Sequence, residues 1–97
     1  MNHIKHLEMP DDSQAGRILT GDIIELNTDL ALPVVSGKLY GMLVDNTFTL
    51  RRIYIQDDGS WLLHCKSEKF PNETIKRGIV SSQIVFGLVT SFQGDTL

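Results

Sequence analysis

Turn signals recur about every 8–12 residues along this chain, so only short structural elements fit between them. The clearest pair of elements is Lys38 to Val44 and Thr47 to Ile55, two largely apolar runs joined by Asp45-Asn46. The second run alternates with period two, which is typical of a β-hairpin. No segment sustains the helical period of about 3.6 residues, so the sequence predicts an all-β fold.

The same pattern predicts six or seven short strands and at most one or two helical turns, the latter within residues 13–19. The predicted strands are 3–9, 22–26, 38–44, 47–55, 61–65, 74–80 and 84–92. So many strands in 97 residues favour a twisted, partly closed sheet over a large open one. The predicted core residues are Ile23, Leu39, Leu43, Leu50, Leu62, Ile84, Phe86 and Leu88.

Composition limits the class of protein. Residues 1–97 make one domain, and 41% hydrophobic and 22% charged residues exclude wholesale disorder. A net charge of −3 supplies no basic stripe for a phosphate backbone, so we do not expect this domain to bind nucleic acid itself. The single cysteine, Cys65, excludes an internal disulfide and favours a reducing compartment. Because no apolar run approaches the roughly 20 residues of a membrane span, we expect a cytoplasmic protein.

Few side chains suggest chemistry by their spacing. His3 and His6 lie in a predicted strand, which separates them, and the neighbours His64 and Cys65 point to opposite faces of another strand. We therefore predict no metal site. Asp11-Asp12 resembles a carboxylate pair for acid–base work, but aspartates at the start of a loop are more often turn residues. No phosphate loop, dinucleotide fingerprint or zinc spacing is present, so no cofactor is expected.

The order of local motifs is more informative. Pro10-Asp11-Asp12-Ser13-Gln14 and then Gly21-Asp22-Ile23-Ile24-Glu25-Leu26 resemble the start of the LexA-like peptidase domain of SOS, phage and xenobiotic-response-type repressors. Further segments follow in the order of that family's motifs: Gly37-Lys38-Leu39-Tyr40, Phe48-Thr49-Leu50-Arg51-Arg52-Ile53, Gly59-Ser60-Trp61-Leu62-Leu63, Phe70-Pro71-Asn72-Glu73-Thr74-Ile75 and Ile84-Val85-Phe86-Gly87-Leu88-Val89. The resemblance covers nearly the whole chain.

The resemblance implies a β-rich domain in which a lysine activates a serine that cuts the repressor's own linker. Carried over by position, the nucleophile is Ser13 and the general base falls at Arg51. A guanidinium stays protonated at physiological pH and cannot accept the hydroxyl proton. The methionine that follows the serine in the motif is also replaced, by Gln14. The resemblance therefore implies a degenerate self-cleavage site.

Two function classes remain open. One is the oligomerisation and regulatory domain of a phage-type transcriptional repressor, a homodimer or higher homo-oligomer. Its DNA contacts would come from a separate helix-turn-helix domain, because this chain predicts no helix pair. The chain is then either the C-terminal part of a longer repressor or a short protein without that half. The alternative is an active serine peptidase performing self-cleavage, although Ala15-Gly16, a dipeptide that the family often cuts, lies just after Ser13.

Self-association is also predicted from the last strand. Ile84 to Val89 is apolar on both faces, which a small domain has difficulty covering within one chain. Either the strand presents surface to a second copy, or it is simply central in the sheet.

Overall fold

The computed structural model describes residues 3–11, 18, 21–44, 46–66, 72–75, 84–92 and 95–96. These residues build one antiparallel sheet, which confirms the all-β prediction. In chain order its strands are β1 (Ile4–Glu8), β2 (Ile23–Asn27), β3 (Lys38–Val44), β4 (Thr47–Ile55), β5 (Trp61–His64), β6 (Glu73–Ile75), β7 (Val85–Phe92) and β8 (Asp95–Thr96).

The spatial order of the strands is β1-β2-β7-β3-β4-β5-β6, and β8 pairs with β7 outside this path. Among the described residues the sheet therefore has two edges, β1 and β6, and it is not closed. In the described part of the chain, each of these two strands pairs with a neighbour on one side only, and β1 does not pair with β6.

The β3–β4 hairpin has the predicted bounds. Its turn includes Asn46, whose φ of 63° is a left-handed value that asparagine tolerates. The next turn, between β4 and β5, is closed by a hydrogen bond from Gln56 N to Ser60 O at 2.8 Å. In that turn the Asp58 carboxylate accepts from the backbone N–H of Ser60 at 2.9 Å. Local turn chemistry thus determines both hairpins.

Two apolar clusters pack against the sheet. One contains Met9, Ile18, Ile24, Leu26, Leu39, Leu50 and Val89, and the other contains Tyr40, Met42, Val44, Ile53, Trp61, Leu63 and Val85. Leu39 and Tyr40 are consecutive in β3 but belong to different clusters, and successive side chains of a strand point to opposite faces. The central strands are therefore buried on both faces.

Several predicted core residues are corrected by the structure. Ile23 is 43% exposed and Phe86 is 36% exposed, while Leu43, Leu62, Ile84 and Leu88 are only half-buried. Leu39 and Leu50 are buried as predicted. In three strands the apolar neighbour takes the core position, namely Ile24, Leu63 and Val85. The reason is that, where two adjacent residues of a strand are both apolar, the sequence does not show which of them points into the core.

The strand β7 lies between β2 and β3. The topology therefore supports the alternative that this strand is central in the sheet, while its Phe86 remains 36% exposed. The predicted strand 74–80 is represented by β6, and residues 76–80 lie outside the described part of the chain. Residues 95–96, which lie after the last predicted strand, form β8.

Helical structure is minimal. The described residues hold one 3₁₀ turn, Thr28–Leu30, which Asn27 caps by accepting from Asp29 N at 3.0 Å. Of the predicted helical turn at 13–19, only Ile18 is described. No helix in the described part of the chain has the length and apolar character of a bilayer span.

Candidate functional site

Arg51 is a buried cation in β4. Its side chain is only 4% exposed, and Nη1 donates to Thr49 Oγ1 and to the carbonyl oxygen of Leu50, both at 2.8 Å. The register pairs Arg51 with Tyr40 of β3, so its side chain lies on the face that carries Ile53 and Leu63. A guanidinium in this position is a fixed hydrogen-bond donor inside the domain.

Thr49 connects Arg51 to a carboxylate that is distant in sequence. Its hydroxyl accepts from Arg51 and donates to Asp11 Oδ2 at 2.6 Å. The hydroxyl is oriented by a cation on one side and an anion on the other, which is the arrangement that strengthens both hydrogen bonds. The pair Asp11 and Thr49 is separated by 38 residues, so this contact holds the start of the first loop against β4.

Cys65 completes the polar group on this side of the sheet. Burial raises the pKa of its thiol, and the negative charges of Asp11 and Glu73 add to the rise while the Arg51 cation opposes it. The Cys65 backbone N–H donates to the Asn72 side chain at 3.1 Å, which ties the end of β5 to the start of β6. A buried, protonated thiol is a poor nucleophile, so this cysteine is a structural residue.

Of the two residues predicted for the catalytic site, the structure describes one. Arg51 lies in the buried hydrogen-bonded group above, and Ser13 lies outside the described residues. Asp11, two residues before Ser13 in the chain, reaches this group through Thr49. Sequence reasoning missed the link between Asp11 and Thr49, because nothing local in either segment indicates a partner so far along the chain.

No described lysine offers a substitute for Arg51 as the base. Lys5, Lys38 and Lys66 are all exposed, whereas a lysine base needs burial to lower its pKa. His64 pairs in register with Arg52, on the face opposite to Arg51. The described part of the chain therefore holds a buried cation at position 51, the position predicted for the base, and no buried lysine side chain.

Among the described residues, the histidines and acidic residues do not gather at one place. His3 Nδ1 lies 3.1 Å from Asp29 Oδ1, and His6 Nε2 lies 3.6 Å from Glu25 Oε1. Each of these two histidines thus has its own carboxylate. Across the residues that the structure describes, no group of three potential ligands gathers in one place. Asp12, the second member of the predicted carboxylate pair, lies outside the described residues.

An apolar groove lies at the other side of the sheet, beside β1. It encloses about 470 Å³ and is lined by Lys5, Leu7, Glu8, Leu26, Thr28, Phe48 and Phe86. The rings of Phe48 and Phe86 stack with their centroids 5.8 Å apart and their planes at 21°. Leu7 and Phe86 are each more than one-third exposed, so the groove offers apolar surface to a partner.

Comparison with known proteins adds no family. No model of a known protein family matches the chain, and no curated protein matches it. The likeness to LexA-like peptidase domains therefore stays a prediction from the sequence motifs.

Proposed function

We propose that this chain is the oligomerisation and regulatory domain of a phage-type transcriptional repressor, with a degenerate serine–lysine self-cleavage site. The observation that carries the proposal is the state of Arg51. Its guanidinium, at the position predicted for the general base, is buried and donates to Thr49 and to the Leu50 carbonyl. A group that remains a donor cannot remove a proton from a serine.

The contact of Asp11 supports the predicted pairing of Ser13 with Arg51. Asp11 is held against Thr49, two residues before Arg51 in the same strand, and Ser13 follows Asp11 by two residues in the chain. The motif order adds support, since the segments that resemble the family lie mainly in consecutive strands from β2 to β7. A domain that has the strands of this fold but no general base is suited to a role in self-association.

The oligomerisation part rests on the surface beside β1. The groove there exposes Leu7 and Phe86, and covering them with a second copy would remove their apolar surface from water. Dimerisation of such a domain raises the effective concentration of attached DNA-binding domains at paired half-sites. Regulation of repression would follow without any contact between this domain and DNA.

Intact-mass spectrometry tests the loss of cleavage. Wild type, Ser13→Ala and Arg51→Lys are incubated at raised pH, and far-UV circular dichroism checks that each variant is folded. We expect wild type and Ser13→Ala to keep their full mass. Arg51→Lys is expected to recover slow cleavage, because the burial at position 51 lowers the pKa of a lysine. Cleavage of wild type that Ser13→Ala abolishes would establish the alternative, an active self-cleaving peptidase.

A reporter assay tests the regulatory role. The chain is fused behind a helix-turn-helix domain that lacks its own dimerisation element, and repression is measured at a two-half-site operator. We expect at least about tenfold stronger repression than with the DNA-binding domain alone, since one linked contact contributes an effective concentration near the millimolar range. Equal repression by the two proteins would contradict the role in oligomerisation.

A further inference from the structure

β1 is an edge strand whose hydrogen-bonding sides can be assigned. Met9 N donates to Asp22 O at 2.7 Å, and Thr28 N donates to His3 O at 2.9 Å, so the backbones of His3 and Met9 face β2. Antiparallel pairing alternates along the strand, which turns the backbone groups of His6 and Glu8 outward. Among the described residues, no strand pairs with this outer side.

The side chains of β1 differ between the two faces of the sheet. Lys5 and Leu7 are on the face of the groove, and Leu7 is 37% exposed there. His6 lies on the opposite face, 3.6 Å from Glu25 of β2. An exposed edge of this kind is a template for pairing with another strand.

We propose that the outer edge of β1 pairs antiparallel with β1 of a second copy of this chain, on a two-fold axis that passes through Leu7. The proposal rests on the proposed oligomerisation function and names the surface that performs it. A two-fold dimer is closed by one self-complementary patch, so a strand edge can serve as its own partner. The pairing joins the grooves of the two copies along one continuous face.

Charge decides between the possible registers. An axis through Lys5 sets two lysines opposite each other, and an axis through Glu8 sets two carboxylates opposite each other, both of which are destabilising. An axis through His6 sets two imidazoles opposite each other and places Lys5 against a leucine. With the axis on Leu7, leucine meets leucine, and His6 meets the partner's Glu8. Of these four registers, it is the one that sets His6 opposite a carboxylate.

The same register explains the ends of the strand. His6 and Glu8 are two of the residues whose backbone groups point outward, and they face each other across the axis, which makes two hydrogen-bonded pairs and about four backbone hydrogen bonds. His6 then lies between Glu25 of its own chain and the partner's Glu8. Pro10 has no N–H and ends the ladder, which limits the edge to a short, defined contact.

Cysteine cross-linking at single positions tests the surface and the register together. Residues opposite each other at a non-hydrogen-bonded position have Cβ atoms about 4.5–5.5 Å apart, close to the span of a disulfide. We expect Leu7→Cys to form a disulfide-linked dimer at least about tenfold faster than Lys5→Cys or His6→Cys. All three positions are exposed, so the two slower variants are matched controls, and Cys65 is buried in each.

Two further measurements separate the outcomes. Sedimentation equilibrium of wild type at tens of micromolar reports whether a dimer forms at all. His6→Pro removes one outward N–H while leaving the side that pairs with β2, so we expect it to abolish the dimer with an unchanged far-UV spectrum.

If His6→Cys cross-links fastest, the register with its axis at Leu7 is wrong. If the protein is dimeric but all three variants cross-link slowly, β1 is not the dimer surface, and the proposed oligomerisation function still holds. A strictly monomeric wild type would overturn both.

Discussion

Gly41 and Gly87 face each other across β3 and β7, and replacing each by alanine is a sharp test of the packing in the middle of the sheet. A Cβ added at Gly87 would lie 2.8 Å from the carbonyl oxygen of Asn27 and 3.0 Å from its carbonyl carbon. A Cβ added at Gly41 would lie 2.8 Å from Cδ1 of Leu26 and 3.0 Å from Cζ of Phe48. At Gly87 the added Cβ would therefore meet backbone atoms, and at Gly41 it would meet the ends of side chains.

The expected magnitudes follow from what can move. Overpacking against rigid atoms costs about 1–3 kcal/mol, and replacing glycine by alanine within a strand returns about 0.5–1 kcal/mol by restricting the unfolded chain. At Gly87 the backbone of β2 has to shift, so we expect Gly87→Ala to lower the free energy of unfolding by about 2 kcal/mol. At Gly41 the Leu26 and Phe48 side chains can turn aside, so we expect Gly41→Ala to change it by less than about 1 kcal/mol.

Urea unfolding followed by far-UV circular dichroism measures both variants. For a domain of this size a loss of about 2 kcal/mol lowers the urea midpoint by about 1 M and the Tm by about 8–16 °C. A loss for Gly41→Ala equal to or larger than that for Gly87→Ala would refute the reasoning, because it would mean that the side chains resist more than the backbone does.

Three other outcomes are expected. A hydrogen bond from Thr90, at 2.6 Å, lowers the pKa of the Glu25 carboxyl, so the free energy of unfolding should fall as the pH drops below about 4.5. Thr90→Val should raise that pKa in a carboxyl NMR titration and make the loss of stability at low pH smaller. Arg51→Met should lower the free energy of unfolding, measured in urea, by about 2–3 kcal/mol, because two oxygens lose a charged donor. Arg52→Met, at a half-buried position, should lower it by only about 1 kcal/mol. Similar losses for the two variants would contradict the role of Arg51. The buried Cys65 thiol should react with iodoacetamide at pH 7.5 at least about tenfold more slowly in the native protein than in urea, and equal rates would contradict its burial.

Local pattern was sufficient for most strand positions. The bounds of β3 and β4 agree with prediction because alternation and the intervening turn are properties of consecutive residues. The arginine at position 51, where the resemblance predicts a lysine, was likewise visible in the sequence, since it depends on residue type alone. What could not be predicted was its burial and its hydrogen bond to Thr49.

By itself, the sequence determined the all-β class and the β3–β4 hairpin, because these depend on neighbours along the chain. Only the tertiary structure decided which of Ile23 and Ile24 faces the core, since both are apolar and a strand can present either. It also decided that β7 is central and that the sheet stays open. These features depend on contacts between distant segments, whose free energies no local pattern encodes.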